Sequence, residues 1–185
     1  MHLGSKPAPN DLALVQGFVN YFGWLSRKTD IDRPGAMKTW LVRHGLLSGA
    51  VPVGKDDVRS ACALQDSLRS LLRANSGEAH EKIAITRLNR LARQCNLTMV
   101  FGPDGSVQLD AAARGVERAL GKILIVVVNS MADGNWRRLK VCRNQHCQWA
   151  FFDSSKNLSG RWCAMQACGS RAKASAYRSR QKREM

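Results

Sequence analysis

Acidic residues are scarce in this sequence: its 185 residues include 14 Asp and Glu against 29 Lys and Arg. The net charge of +15 excludes a charge-balanced surface and indicates an anionic partner, which is nucleic acid, an anionic membrane surface or an acidic protein. Hydrophobic residues make up 44% of the chain, as in globular proteins. The charge is uneven, because residues 136–185 carry a net +10 and residues 1–135 a net +5.

Long hydrophobic runs are also missing. The run Ile123–Val128 is apolar on all sides, but it is far shorter than the roughly 20 residues that a membrane-spanning helix needs. The stretch Met1–Pro7 has no apolar segment of the kind found in signal peptides. We therefore expect a cytoplasmic protein with no membrane contact.

Recognisable catalytic motifs are absent as well. The turn Gly102–Gly105 lacks the Lys-Ser/Thr pair that follows the glycines of a phosphate-binding P-loop. His44 has no nucleophile or carboxylate that the sequence assigns to it as a partner, and nucleophilic catalysis requires one. The sequence therefore predicts that the chain is not an enzyme.

Four of the six cysteines follow the spacing C-x4-C-x15-C-x4-C, at Cys142, Cys147, Cys163 and Cys168. Two short cysteine pairs separated by a loop can give four thiolates to one tetrahedral ion, for which Zn²⁺ is the usual occupant. We predict one structural zinc ion, because four thiolates leave no open position for a substrate. Two disulfides, or four small apolar core residues, are the alternatives. His146 could also replace Cys147 as a ligand.

The residues around these cysteines predict a small finger. Trp149–Asp153 is apolar and aromatic, as in a short strand, and Ser154–Gly160 is rich in turn residues. From Ala164 the composition favours a helix, which gives the order knuckle, hairpin, knuckle, helix of a treble-clef-like fold. That helix carries six Lys and Arg between residues 171 and 183. Its candidate nucleic-acid-binding residues are Arg171, Lys173, Tyr177, Arg178, Arg180, Lys182 and Arg183.

The N-terminal part reads as mainly α-helical. Apolar residues recur at steps of three and four, which predicts helices over 11–22, 35–47, 56–75, 79–95 and 111–131. Two short alternating runs, 97–101 and 106–110, flank a Gly/Pro/Asp turn and predict one small β-hairpin. The break at 132–135 places a boundary between a helical domain, 1–135, and a zinc finger, 136–185.

Three polar or aromatic residues of the helical domain are candidates for a ligand pocket: Asn20, Trp40 and His44. For Asn20, a hydrogen bond at the edge of the core is the alternative, because buried polar groups are generally satisfied locally. For His44, the alternative is a histidine packed in the core. The sequence names no effector for such a pocket.

Several segments of the C-terminal part together resemble the CGNR zinc-finger family: Arg138–Cys142, Cys147–Asp153, Arg161–Met165, Cys168–Lys173 and Tyr177–Arg180. Phe18–Asn20 and the stretch around Trp40 are similar to ABATE, the N-terminal domain of that family, which is described as a stress-induced transcription regulator. Two positions depart from the family pattern. The signature Cys-Gly-Asn-Arg has Ser170 in place of Asn, and Gly160 stands where the family tends to have a basic residue.

The resemblance implies a bacterial-type transcription regulator, and the charge and cysteine spacing imply a metal-supported contact with a polyanion. We therefore predict a DNA-binding protein whose zinc finger presents a basic helix to double-stranded DNA, with a homodimer as an open option. Binding of RNA through the basic helix and the finger's aromatic residues is one alternative. A zinc-dependent module that docks an acidic protein is the other.

Overall fold

The computed structural model describes residues 7–25, 32–78 and 81–181. Its helices are α1 (Leu12–Leu25), α2 (Arg33–Arg43), α3 (Lys55–Ala74), α4 (Lys82–Gln94), α5 (Gly115–Ala132) and α6 (Ser170–Gln181). Its strands are β1 (Leu97–Phe101), β2 (Val107–Ala111), β3 (Leu139–Val141) and β4 (Ala150–Phe152). The predicted class is confirmed: the protein is mainly α-helical, with a small hairpin and a C-terminal cluster of four cysteines.

Helices α1, α3 and α5 contact one another and form the centre of the helical part. The residues with no solvent exposure come largely from their apolar stripes, including Phe18, Phe22, Leu64, Leu68 and Ile123. Helix α3 begins as predicted, with Asp56 and Asp57 in its first turn, where the helix dipole favours negative charge. Helix α2 packs against α3, and α4 contacts both α3 and α5.

The β1–β2 hairpin lies against α5. Its register pairs Leu97 with Ala111 and Phe101 with Val107. Helix α5 approaches the base of the hairpin closely at Gly121, where a Cβ would lie 2.5 Å from the Cβ of Ala111. Any larger residue at position 121 would therefore displace the hairpin.

Some predicted details of the helices are wrong. Helix α5 begins at Gly115 rather than residue 111, because Ala111 still belongs to β2 and Gly115 adopts a left-handed φ of +57°. On α4, Ile83 belongs to the apolar spacing that predicted the helix over 79–95, but it is 56% exposed. On α5, Val128 and Met131 are also exposed, because in the last turns the buried face is the one that carries Val127 and Ser130.

The C-terminal part contains a second antiparallel pair. A 3-10 turn at Asn135–Arg138 leads directly into β3, which pairs with β4 in a register that joins Leu139 to Phe152 and Val141 to Ala150. All three residues of β3 are buried, and β3 contacts α3 while β4 contacts α1. The sequence predicted β4 but not β3.

The apolar core continues across the predicted boundary between residues 135 and 136. Trp136, Leu139, Val141 and Ala150 belong to the same buried cluster as the side chains of α1, α3 and α5. The boundary therefore separates two segments of the chain that share one core. No helix in the described ranges is both long enough and apolar enough to cross a membrane.

Candidate metal centre and basic helix

The first pair of cysteines lies in a tight turn that follows β3. The backbone N–H of Cys142 donates to the carbonyl of Trp149 at 2.9 Å, and that of Cys147 donates to the carbonyl of Asn144 at 2.8 Å. The Asn144 side chain accepts from the N–H of His146 at 3.0 Å. Gln148 then takes a positive φ of +52°, which reverses the chain towards β4. These bonds hold both sulfur atoms of the first knuckle on one side of the turn.

The second pair lies at the start of the C-terminal helix. Cys163 precedes a π-helical turn at Met165–Gly169 that contains Cys168, whose N–H donates to the carbonyl of Ala164 at 3.0 Å. A Cβ on Gly169 would lie 2.4 Å from the Met165 sulfur and 3.3 Å from Trp162 Cδ1. A larger residue at position 169 would therefore require the Met165 side chain to move, and the turn brings Cys168 back towards Cys163.

The four sulfur atoms all lie within 4.8 Å of one another. Cys147 Sγ is 3.6 Å from Cys163 Sγ, and Cys163 Sγ is 3.8 Å from Cys168 Sγ. Ligands about 2.3 Å from a tetrahedral zinc ion stand about 3.8 Å apart, whereas disulfide sulfurs stand about 2.05 Å apart. The spacing fits one zinc ion, and none of these four cysteines is in a disulfide.

His146 does not belong to this cluster. Its side chain is exposed, and the metal-binding group formed by the described residues consists of the four cysteines. Cys142, Cys163 and Cys168 are buried, and Phe151 packs with them, joined by the partly buried Trp149 and Trp162. These aromatic rings therefore form the wall of the metal site, as expected for side chains that support it.

The protonation of the cluster shows why it needs a cation. A hydrogen bond from the Cys163 thiol lowers the pKa of Cys142 to about 5, and donating that bond raises the pKa of Cys163. Burial raises the pKa of Cys147 to about 11. Without a metal, ionisation of one thiol therefore opposes ionisation of its neighbours. Bound zinc supplies the positive charge that allows four thiolates to coexist.

A buried ion pair fixes the loop between the two cysteine pairs. Lys140 Nζ on β3 donates to Asp153 Oδ2 at 2.8 Å and also to the carbonyl of Leu158. Asp153 accepts in addition from the N–H groups of Ser155, at 3.0 Å, and Gly160, at 2.8 Å. Burial alone would raise the pKa of Asp153, but the bonds from Lys140, Ser155 and Gly160 outweigh it and lower the pKa to about 2.

Helix α6 continues from the π-helical turn without a break. Arg171, Lys173 and Arg178 are exposed on it, and it has no acidic residue in its first turn. Its described contacts are mainly with the π-helical turn at its base. Of the other predicted contact residues, Tyr177 and Arg180 have backbones in α6 but side chains outside the described set, and Lys182 and Arg183 lie outside the described residues.

Two family models match the chain. The model of the ABATE family, whose description is "Putative stress-induced transcription regulator", matches residues 9–134. The chain belongs to the ABATE family. The model of the CGNR zinc finger matches residues 138–181, which include all four cysteines and the whole of α6. The resemblance drawn from the sequence is thus confirmed in both segments, and the cysteines form a single zinc site. No curated protein matches the chain.

The two departures from the CGNR pattern have local structural consequences. Ser170 Oγ donates to the carbonyl of Met165 at 3.1 Å, so this side chain closes the π-helical turn, as expected for a short polar residue. At Gly160, a Cβ would lie 2.6 Å from the carboxyl carbon of Asp153. In this chain, the glycine allows the loop to reach the buried carboxylate.

The ABATE segment holds the CGNR finger through polar side chains. Asn20 accepts from the N–H of Ala150 at 2.8 Å and donates to its carbonyl at 3.0 Å, and Gln16 donates to the same carbonyl at 3.2 Å. The buried Arg69 donates to the carbonyls of Val19, at 3.1 Å, and Gln148. On α3, Asn75 Nδ2 donates to the carbonyls of Trp136 and Leu139, both at 2.8 Å.

The sequence predicted a hydrogen bond for Asn20 but not its partner, Ala150. It also gave no indication that Arg69 and Asn75 bond to the finger. The other two pocket candidates lie elsewhere. Trp40 is buried among Phe18, Phe22 and Tyr21. His44 is exposed rather than in the core, with its ring 4.2 Å from that of Trp40. Burial against this ring and the charge of Arg43 lower the pKa of His44.

A cleft of about 630 Å³ separates the end of α3 from the first knuckle. Two of its guanidinium groups already contact the protein: Arg73 donates to the Gln148 side chain at 3.1 Å, and Arg143 donates to the carbonyl of Ser76 at 2.7 Å. The cleft is therefore a second place where arginines join the ABATE segment to the finger.

Proposed function

We propose that this protein is a DNA-binding transcription regulator whose zinc finger presents α6 to double-stranded DNA. The observation that carries this proposal is the attachment of α6 to the metal site: Cys168 lies in the turn that leads directly into the helix. Zinc therefore fixes the direction in which α6 leaves the finger. The side chains of Arg171, Lys173 and Arg178 extend from it into solvent.

The electrostatics of α6 favour a phosphate partner. The first turn carries Arg171 and no acid, so the cations of α6 have no compensating negative charge on their own helix. Phosphate groups supply that charge, and exposed Lys and Arg side chains contact them without reading the base sequence. The net charge of +15 also favours association with a polyanion.

We further propose that the metal is structural, that the protein is not an enzyme and that it is cytoplasmic. Four thiolates fill the tetrahedral coordination of zinc, which supports a structural metal and a protein that is not an enzyme. Cysteines remain available to bind zinc, rather than pairing in disulfides, in reducing compartments, which supports a cytoplasmic location. Double-stranded DNA is favoured over unpaired RNA, because Trp149 and Trp162 are partly buried against the metal site and are not open stacking platforms.

The test is the salt dependence of duplex binding by the zinc-loaded chain and two single variants. Arg178→Gln removes an exposed cation from α6, and Arg43→Gln removes an exposed cation from α2 as the matched control. Affinity should fall steeply between about 50 and about 200 mM salt, and Arg178→Gln should reduce the slope of log affinity against log salt by about 1. Arg43→Gln should leave that slope unchanged.

A flat salt response, or equal effects of the two variants, would remove α6 from the proposal. Competition between a duplex and single-stranded RNA tests the polymer. Preference for the RNA would favour the RNA-binding alternative. Affinity no greater than that of an unrelated basic protein would favour the acidic-protein alternative.

A further inference from the structure

The β1–β2 hairpin has an apolar face that is longer than the core beneath it. At the base of this face, Leu97 and Ala111 pack over Gly121 of α5. Because side chains alternate along a strand, the same face continues outward through two further cross-strand pairs. These pairs are Met99 with Leu109 and Phe101 with Val107.

The outer part of this face is uncovered. Phe101 is 72% exposed, Met99 68% and Val107 57%, which makes them the three most exposed of the chain's large hydrophobic side chains in the described ranges. Single exposed apolar residues are ordinary, but neighbouring ones on one face indicate an interaction surface. An ion pair at 3.0 Å between Arg118 and Asp110 fixes the base of the hairpin to α5, so the face is held on a firm support.

The charge around the hairpin indicates which partner fits this face. Residues 94–113 contain no Lys or Arg, although the whole chain has 29, and they include Asp104 and Asp110. A nucleic acid or an anionic membrane would gain no electrostatic attraction here. Two copies of a chain with a net charge of +15 repel each other least where neither copy contributes a cation. The hairpin is such a region.

We propose that a second copy of this chain docks on the hairpin face, so that Met99, Phe101 and Val107 of one copy pack against the same residues of the other. A two-fold axis makes the contact self-complementary, since each copy offers the same apolar surface from a segment that contains no Lys or Arg. This assembly is independent of the proposed DNA contact. It would place two zinc fingers in one particle.

The test is sedimentation equilibrium of the full zinc-loaded chain over a concentration series, with two lysine variants. Wild type should approach twice the monomer mass of 20.5 kDa as concentration rises. Phe101→Lys should weaken dimerisation about thirtyfold or more, because a central aromatic contact is lost and a charge is placed in the apolar face. Val42→Lys adds the same charge at an exposed position on α2 and should leave the dimer intact.

Three outcomes would overturn the proposal: a monomer at every concentration, a dimer that Phe101→Lys leaves unchanged, or equal weakening by both variants. Circular dichroism and zinc content verify that each variant is folded. Amide hydrogen exchange at low and high concentration adds an independent measurement. Protection that grows with concentration should lie in β1 and β2, and growth confined to another part of the chain would also overturn the proposal.

Discussion

The side-chain amide of Asn20 pairs with the backbone of Ala150, accepting its N–H at 2.8 Å and donating to its carbonyl at 3.0 Å. An amide side chain on α1 thus occupies the position that a neighbouring strand would take beside β4. Both backbone groups of Ala150 are buried, and each needs a partner. The ABATE segment therefore completes the hydrogen bonding of the zinc finger, and the two segments depend on each other for stability.

We first predict that Asn20→Ala destabilises the zinc-loaded protein by about 2 kcal/mol, because it leaves the buried N–H of Ala150 without its partner. The carbonyl retains Gln16 as a donor, which limits the loss. Denaturant unfolding measures the change. Asn89→Ala, at an exposed position on α4, is the control and should change stability by less than about 0.5 kcal/mol. Equal effects of the two variants would show that the pairing contributes nothing.

A second prediction concerns Arg69. Its guanidinium holds the carbonyl of Gln148, the residue after the ligand Cys147, so it sets the backbone of the first knuckle. Arg69→Met keeps the length of the side chain and loses its donors, and we expect the zinc affinity to fall about tenfold. Competition with a chromophoric chelator measures this affinity. Arg59→Met, on the exposed side of the same helix, should retain the wild-type value.

The sequence predicted the four metal ligands, but not the residues of the helical segment that hold the zinc finger in place. Ligand spacing identifies Cys142, Cys147, Cys163 and Cys168, because the coordination of one ion restricts both pairs to short turns. The bond between Asn20 and Ala150 joins residues 130 positions apart, and no local pattern encodes such a pairing. Arg69 was equally hidden, since an arginine on a helix is usually solvated and its burial depends on tertiary contacts.

The secondary structure shows the same limit. The long apolar stripe of α3 predicted that helix within about one residue of its ends. Strand β3 was missed, because three residues form too short an alternation and one of them is Lys140. A lysine reads as a solvent-facing position, whereas here it is buried by its pairing with Asp153. The sequence did not show that Lys140 pairs with Asp153, which follows β4, the strand paired with β3.

Our third prediction tests the metal centre directly. Elemental analysis should find about one zinc ion per chain. Cys163→Ser should remove that zinc and expose the C-terminal segment to protease, since the two knuckles lose their cross-link. Cys62→Ser alters a half-buried cysteine outside the cluster and should keep the full zinc content. Wild-type protein that is stable and metal-free would contradict the zinc site.

The fourth prediction concerns the buried pair of Lys140 and Asp153. Asp153→Asn should cost about 3 kcal/mol of stability, because it leaves the Lys140 ammonium buried without its counter-charge. The folded pKa of Asp153 is depressed to about 2, so its stabilisation is fully present above the ordinary carboxyl pKa and is lost only as the pH falls through about 2.

It follows that the stability difference between wild type and Asp153→Asn should be constant between about pH 6 and about pH 8, where zinc stays bound. Denaturant unfolding at several pH values measures this difference. Asp133→Asn, at an exposed position after α5, is the control and should have little effect at any of these pH values. A difference that shrinks towards pH 6 would mean that the Asp153 carboxyl titrates near neutrality and is not stabilised by Lys140.

The last prediction follows from the isolation of α6. A helix of 12 residues is marginal in water unless something packs against it, and the described contacts of α6 lie mainly at its base. Phosphates would neutralise the repulsion among its cations. We therefore expect the helical circular dichroism signal to rise when a DNA duplex is added to the zinc-loaded protein. Cys163→Ser should show a smaller rise, because the metal no longer anchors the first turn. No rise in the wild type would mean either that α6 is already fully helical in the free protein or that α6 does not contact DNA. The duplex affinity of Arg178→Gln distinguishes these two explanations: a loss of affinity would show that α6 contacts DNA.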